Sequence, residues 1–406
     1  MNKQVVFAPH ILLPKKGTDM HRYAVIACDQ FTSQKEYWDE LKYLIGDNLS
    51  TFHMIYPEAY LENTDNDKYI EGINKNIAHY LENNDLVDIG ECFILVERVT
   101  SYGVRRLGLI LAVDLEDYSY EKGTDALIRA SEATIVERIP PRLKIRKDAP
   151  IELPHILVLF DDPQKTIVEQ LYAQRDKLEK VYDFELNKDG GHIRGYKVED
   201  TKEVISKFND LFNKNNNGLL FIVGDGNHSL ATAKAHWELI KKDLSPEQRE
   251  NHPARFALVE ANNLYDDGII FEPIHRVLFN VDKDFESQLR SICKGEYSSF
   301  TYTKEEGKKE LMLPKNAPKS YLMVQTFLDV YLRLHPDVKI DFIHDEDELL
   351  AVTDKNPGSV AIAMPALTKD DLFDYLASGT VLPRKSFSMG HANEKRYYLE
   401  AKRIIN

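Results

Sequence analysis

Residues 224–229 of the chain, Gly-Asp-Gly-Asn-His-Ser, combine more reactive residue types than a tight turn needs. An apolar run at residues 219–223 precedes them, and an alanine-rich helical pattern follows. The first N–H groups of a helix have no partner inside the helix, and the helix dipole places partial positive charge there. The segment therefore predicts a strand, a glycine loop and a helix that together form an anion site.

Four of these residues are candidate phosphate contacts. Gly224 and Gly226 would let the backbone approach a phosphate, because glycine has no Cβ. Asn227 and Ser229 would add polar contacts at the start of the helix. We expect these four residues to bind the phosphate groups of a cofactor.

The two remaining residues could do chemistry. Asp225 is a candidate ligand for a divalent metal ion and a candidate catalytic acid. His228 is a candidate for proton transfer, because the ordinary pKa of histidine lies near neutrality. The spacing matches neither a Walker loop, nor GxGxxG, nor the GxSxG of a nucleophile elbow. A plain turn followed by a capped helix has a similar composition, so that alternative stays open.

Charged residues elsewhere could complete the site. Asp29 lies between a strand predicted at residues 22–28 and a helix that begins near Ser33, and it is a candidate catalytic base. Arg276 lies within an apolar stretch, where its charge needs a partner such as a ligand anion. Arg384 and Lys385 follow Pro383 and are further candidate cofactor contacts.

The pattern of elements predicts an α/β or α+β fold with mixed sheets and flanking helices. We expect a main α/β domain at residues 1–285 and a smaller α/β domain at residues 286–406. Residues 124–136 are predicted to be helical. Residues 137–154 contain four prolines and are predicted to be extended.

Composition narrows the class of protein. The formal charge is −14, from 66 acidic against 52 basic residues, which argues against nucleic-acid binding. No apolar run is long enough for a membrane span, and no signal peptide is apparent at the start. Three widely spaced cysteines favour a reducing cytoplasm. We expect a small-molecule ligand as the partner, with a homo-oligomer left open.

Five ordered motifs resemble a known family. They are ACDQFTSQKEYW, SEATIVERIPPR, GDGNHSLATA, EPIHRV and LPRKS. In that order they resemble the bacterial family catalogued as domain of unknown function 1015, over roughly residues 5–400. That resemblance implies no particular activity.

The central motif is also similar to the phosphate loop shared by the partition protein ParB, sulfiredoxin and free-serine kinases. This resemblance covers about 15 residues and implies that residues 224–229 hold nucleotide phosphates. Relatives commonly have Asp-Gly-His-His-Arg, whereas this chain has Asn227 and Ser229 in place of one histidine and the arginine. Arg276, Arg384 or Lys385 would have to supply the missing charge.

These observations predict a nucleotide- or phosphate-binding protein. One hypothesis is a Mg²⁺-dependent phosphotransferase that acts on a small metabolite and uses ATP, ADP or CTP. The alternative is a non-catalytic module that senses a nucleotide or anion and acts through a protein partner.

Overall fold

A computed structural model describes residues 3–61, 66–214 and 218–405. The chain forms two compact units. The first comprises Met1–Ala130, Thr134–Ile269 and His391–Asn406, and the second comprises Ser131–Ala133 and Ile270–Gly390. The boundary expected near residue 285 lies inside the second unit. The division into compact units does not test whether either unit folds independently. The two predicted domains, with their boundary near residue 285, therefore remain a prediction.

The described residues form strands at the following positions: β1 His10–Pro14, β2 Val25–Ile26, β3 Leu86–Glu91, β4 Phe93–Val99, β5 Arg105–Asp114, β6 Tyr118–Ser119, β7 Ile128–Ala130, β8 Ile151–Glu152, β9 Leu157–Phe160, β10 Glu179–Glu185, β11 His192–Val198, β12 Phe221–Asp225, β13 Phe256–Asn263, β14 Phe271–Pro273, β15 His275–Phe279, β16 Tyr297–Thr303, β17 Gly307–Leu313, β18 Lys339–Ile343, β19 Val360–Ile362, β20 Phe387–Met389, β21 Tyr397–Tyr398 and β22 Lys402–Arg403.

Their α-helices are α1 Met20–Tyr23, α2 Lys35–Ile45, α3 Asn66–Glu82, α4 Ile139–Arg146, α5 Val168–Ala173, α6 Thr201–Lys214, α7 Asn227–Ile240, α8 Pro246–Asn251, α9 Phe285–Ile292, α10 Ala317–Leu334, α11 Glu346–Lys355 and α12 Lys369–Ala377. None of these described helices is both long enough and apolar enough to cross a bilayer.

A mixed sheet organises the first unit. Within the described residues its strand order is β10-β11-β4-β5-β13-β9-β12-β7-β6. β12 runs parallel to β7 and antiparallel to β9, whereas β13 and β9 are parallel. Along β4, Phe93 and Leu95 belong to one core, and Ile94 and Val96 belong to the other. Because side chains alternate along a strand, the sheet has a hydrophobic core on each face.

The second unit has its own sheet, with strand order β17-β16-β19-β15-β18 in the described part of the chain. Val277, Ile343, Leu349 and Ala361 form a buried cluster between this sheet and α11. Both units therefore combine strands and helices, and the predicted mixed α/β fold is confirmed.

Three predictions of local structure were wrong. Residues 22–28 contain the end of α1 and only a two-residue strand. Residues 124–136 contain β7 instead of a helix, because residues 128–130 pair with β12 of the central sheet. Within residues 137–154, α4 forms at Ile139–Arg146 with prolines in its first turn, where the missing N–H costs nothing.

Candidate functional site

The loop at residues 224–229 has the predicted strand–loop–helix form. β12 ends at Asp225, Gly226 is the N-cap in the left-handed conformation with φ of 80°, and α7 begins at Asn227. The Gly226 N–H donates to Asp225 Oδ1 at 3.0 Å, and the Gly226 carbonyl accepts from Leu230 N at 3.0 Å. Gly224 lies where the pairing of β12 with β9 shifts register.

Gly226 is required by packing as well as by its backbone angle. A Cβ at this position would lie 3.1 Å from both Cα and Cγ1 of Ile156. Because glycine has no side chain, Gly226 leaves room for Ile156. A role for Gly226 in approaching a ligand stays a prediction.

The two candidate catalytic residues of the loop have protein partners. Asp225 Oδ2 lies 3.4 Å from Lys395 Nζ, and the Lys395 side chain is nearly buried. His228 Nε2 accepts from Ile135 N at 3.3 Å, which places the ring proton on Nδ1. His228 would have to give up this hydrogen bond before Nε2 could accept a proton.

His155 stands at the centre of a cluster beside the loop. Its Nε2 lies 3.1 Å from Ser229 Oγ and 3.6 Å from Asp29 Oδ2. Its Nδ1 lies 2.8 Å from the Tyr398 hydroxyl. The structure thus brings together Ser229 and Asp29, two of the predicted site residues, through a histidine that the sequence analysis did not select.

The hydroxyl of Tyr398 links His155 to Cys28. It lies 3.1 Å from Cys28 Sγ and accepts from Cys28 N at 3.2 Å. Because the Cys28 thiol can donate as well as accept, the direction of the hydrogen bond between the hydroxyl and His155 Nδ1 depends on the tautomer of His155. When His155 is an imidazolium, Nδ1 donates to the hydroxyl.

Asp29 favours the protonated form of His155. Burial works against the imidazolium, but the Asp29 carboxylate, supported by Asp225 and Glu58, outweighs burial and raises the pKa of His155. Burial likewise opposes the Asp29 carboxylate, and His155 outweighs it and lowers the pKa of Asp29. The two groups thus stabilise each other's charged form, and the lowered pKa makes Asp29 a weak base.

This cluster is not a serine-protease triad. In such a triad the acid binds Nδ1 of the histidine while the serine binds Nε2. Here both Ser229 and Asp29 contact Nε2, and Tyr398 takes Nδ1. A protonated Nε2 cannot remove the Ser229 proton, so the geometry suits anion binding better than activation of Ser229.

A cavity of about 180 Å³ adjoins the cluster. α3, α4 and α7 contribute to its wall, and α4 packs against α7. Its apolar lining includes Met54, Ile73, Ile77, Ile145, Ile151 and Ile156. Its polar lining includes Glu58, Arg142, Arg146, Glu152, His155 and Ser229. The first turn of α7 thus borders a mostly apolar space with several charged groups.

The other predicted cofactor contacts belong to the second unit. Arg276 is fully buried, and its guanidinium lies over the rings of Tyr321 and Phe342 at 5.0 and 5.4 Å from their centroids. Arg384 lies 5.7 Å from the same Phe342 ring. Burial lowers the pKa of Arg276 to about 10, so it stays charged at neutral pH. Arg276 and Arg384 therefore share an aromatic neighbour within this unit.

Lys385 is held through its backbone. Its N–H donates to Glu132 Oε2 at 3.0 Å, and Ser386 N donates to Glu132 Oε1 at 3.0 Å. Both contacts lie within the second unit. Binding of a cofactor by Lys385, as by Arg276 and Arg384, stays a prediction.

The residues around the loop do not form a metal cage. Within residues 3–61, 66–214 and 218–405, no three His, Cys, Asp or Glu side chains are grouped to hold a metal ion. Asp225 would contribute a single carboxylate, which Lys395 already neutralises. Mg²⁺ usually binds one or two carboxylates together with substrate phosphates. A Mg²⁺ ion at Asp225 therefore stays a prediction.

Three residues of the cluster had at most a weak signal in the sequence. His155 lies between Pro154 and β9, whereas Lys395 and Tyr398 lie near the end of the chain. Their proximity to the loop depends on contacts between segments far apart in sequence. The motif EKRYY at residues 394–398, with charged residues beside aromatic ones, is the one local hint.

Residues 12–336 match the family described as "Protein of unknown function (DUF1015)". The match covers most of the chain, so the chain belongs to this family. No curated protein matches the sequence.

Several solved structures are similar to this chain over most of its length. A conserved hypothetical protein from Pyrococcus furiosus is 10% identical, with a TM-score of 0.34, 71% of this chain covered and 90% of that one. Free serine kinase in complex with AMP is 9% identical, with a TM-score of 0.36 and coverages of 73% and 91%. SbnI from Staphylococcus aureus, with a C-terminal truncation, is 10% identical, with a TM-score of 0.37 and coverages of 69% and 82%. Similarity at this level transfers neither ligand nor activity to this chain.

Proposed function

We propose that the first unit binds a nucleotide or another small phosphate-bearing ligand at the start of α7. The observation that carries the proposal is that two basic side chains lie beside this loop. His155 lies 3.1 Å from Ser229, and Lys395 lies 3.4 Å from Asp225, at the end of the helix where the dipole is positive. Each is paired with a carboxylate of the protein, Lys395 with Asp225 and His155 with Asp29, so a bound phosphate would compete with these carboxylates for the two basic groups.

In this proposal, Gly224, Gly226, Asn227 and Ser229 bind phosphate oxygens, and His155 and Lys395 contact the same phosphate in competition with Asp29 and Asp225. Phosphoryl transfer depends mainly on positioning and on neutralising charge. The same site would therefore serve a Mg²⁺-dependent phosphotransferase that acts on a small metabolite, with ATP, ADP or CTP as donor.

A second candidate function is binding without turnover, as in a sensing module that acts through a protein partner. A specific observation favours it: no predicted base is ready to accept a proton. Asp29 is paired with His155, which lowers the pKa of Asp29, and His228 Nε2 already accepts a hydrogen bond. Binding and turnover must therefore be measured separately.

Calorimetric titration with ATP, ADP, CTP and inorganic phosphate, each with and without Mg²⁺, tests the binding. We expect Lys395→Gln to weaken binding about 10- to 100-fold, because hydrogen bonds to charged groups contribute about 1.5–3 kcal/mol. Lys234→Gln is the matched control, because Lys234 lies later on α7 and pairs with Glu238 at 2.8 Å. If the native protein binds none of the four compounds, the proposal is wrong.

Phosphorus NMR of the protein with a nucleotide and a mixture of small metabolites tests turnover. A new phosphate ester supports the phosphotransferase. Unchanged spectra together with calorimetric binding support the sensing module.

A further inference from the structure

The cavity beside α7 has a lining that selects a particular class of molecule. Its wall contains isoleucines from α3, from α4 and from the segment around β8. An apolar cavity of about 150 Å³ is large enough to bind benzene. At about 180 Å³, this cavity accommodates a group the size of a benzene ring or a short branched chain.

Arg146 belongs to a group of two cations and one carboxylate. It lines the cavity, and its Nη2 donates to Glu152 Oε2 at 2.5 Å. Lys402 lies outside the lining, and its Nζ is 3.5 Å from Glu152 Oε1; burial lowers the pKa of Lys402. The other charged pair of the lining, Arg142 and Glu58, is balanced. Because Arg146 shares Glu152 with Lys402, the carboxylate neutralises Arg146 only in part, which favours an anionic ligand beside it.

Arg146 also has an unused hydrogen-bond donor. It lines the cavity, and its Nε is buried without a hydrogen-bond partner among the residues that the structure describes. Leaving a buried donor unsatisfied is costly, and native proteins rarely do so. An acceptor atom on a ligand in the cavity would remove that cost.

We infer that the cavity binds a small carboxylic acid with an apolar body, aromatic or branched aliphatic. The hydrocarbon part fills the space between the isoleucines, and the carboxylate pairs with Arg146. Since Ser229 and Thr232 of α7 also line the cavity, the acid lies beside the proposed phosphate site. The binding of this acid does not rest on the proposed function.

Titrating phenylacetate and 4-methylpentanoate against the full chain, without nucleotide, tests the inference. The neutral controls are phenylacetamide and 4-methylpentanamide, and the polar control is lactate. We expect saturable binding of both apolar acids, about tenfold weaker binding of the amides, and none of lactate. Equal affinity for acid and amide, or no binding of either acid, overturns the inference.

Two variants separate the contribution of Arg146 to the affinity for the acids from the contribution of the apolar lining. Arg146→Gln should make the affinities of acid and amide equal, and Ile145→Phe should fill the cavity and abolish both. Lys144→Gln is the control on the same helix, because its side chain is half exposed. Should Arg146→Gln fail to fold, Ile145→Phe still decides: undiminished binding in that variant overturns the inference.

The nucleotide titration separates this inference from the proposed function. Binding of the acids without binding of any nucleotide contradicts the phosphate site and leaves the cavity assignment standing. Binding of a nucleotide without binding of the acids contradicts the cavity assignment alone.

Discussion

Replacing Gly226 with alanine tests the geometry of the loop most sharply. With φ of 80°, Gly226 has a backbone conformation that costs an L-residue about 1–2 kcal/mol. The new Cβ would lie 3.1 Å from Ile156 Cα, a backbone atom that cannot rotate away. Overpacking of this kind typically costs about 1–3 kcal/mol. Alanine also restricts the unfolded chain, which offsets about 0.4–1 kcal/mol of this sum. We therefore expect Gly226→Ala to lower the free energy of unfolding by about 2–4 kcal/mol.

Gly103→Ala is the matched control within the same unit. Gly103 has nearly the same φ, 78°, but a Cβ there would meet nothing within 4 Å. Part of its conformational cost is offset, because alanine lowers the conformational entropy of the unfolded chain, which stabilises the folded state by about 0.4–1 kcal/mol. We expect a loss of about 1 kcal/mol for Gly103→Ala. The difference between the two variants measures the contact with Ile156.

Urea unfolding followed by tryptophan fluorescence is a suitable assay. The chain has two tryptophans, and Trp38 and Trp237 are both buried in the first unit. The signal therefore reports the unit that contains the loop. Equal destabilisation by Gly226→Ala and Gly103→Ala would refute the close approach of Ile156 to the loop.

Two further predictions concern His155. Asp29→Asn should lower the pKa of His155, which proton NMR of its ring can follow. Because the pKa of His155 is raised and that of Asp29 is lowered in the folded state, the stability that the pair contributes is fully present between about pH 4 and about pH 6.5. It is lost as the pH rises through the raised pKa of His155. Urea unfolding at several pH values should therefore show the difference in stability between wild type and Asp29→Asn shrink above about pH 6.5. Tyr398→Phe removes the hydrogen-bond partner of His155 Nδ1 and should cost about 1–3 kcal/mol in urea unfolding. Tyr43→Phe, at a side chain 93% exposed, should change stability by less than about 0.5 kcal/mol. An unchanged pKa of His155, or equal effects of the two tyrosine variants, contradicts the cluster as described.

Local pattern was enough to predict much of the fold. The apolar run before Gly224 and the alanine-rich pattern after Ser229 correctly predicted β12 and α7. Two errors in predicting secondary structure had different causes. α4 was missed because proline was treated as a helix breaker, although its first turn tolerates proline. β7 was missed because its pairing with β12, about 90 residues later in the chain, is invisible to a local pattern.

The candidate site was predicted only where it is local in sequence. Residues 224–229 supply the loop, but His155 and Tyr398 are 243 residues apart and meet through the tertiary fold. Spacing in a sequence cannot reveal such a contact. The sequence analysis proposed Arg276, Arg384 or Lys385 as the basic residues that complete the loop. The structure places Lys395 beside the loop, a residue that the sequence analysis had not selected.

A crystal structure of the protein soaked with ADP tests the central claim most directly. The account predicts phosphate oxygens within hydrogen-bond distance of the backbone at residues 226–229, and close to His155 and Lys395. Bound ADP with its phosphates away from this loop would contradict the account, as would a loop whose first helical amides all bind the protein's own side chains.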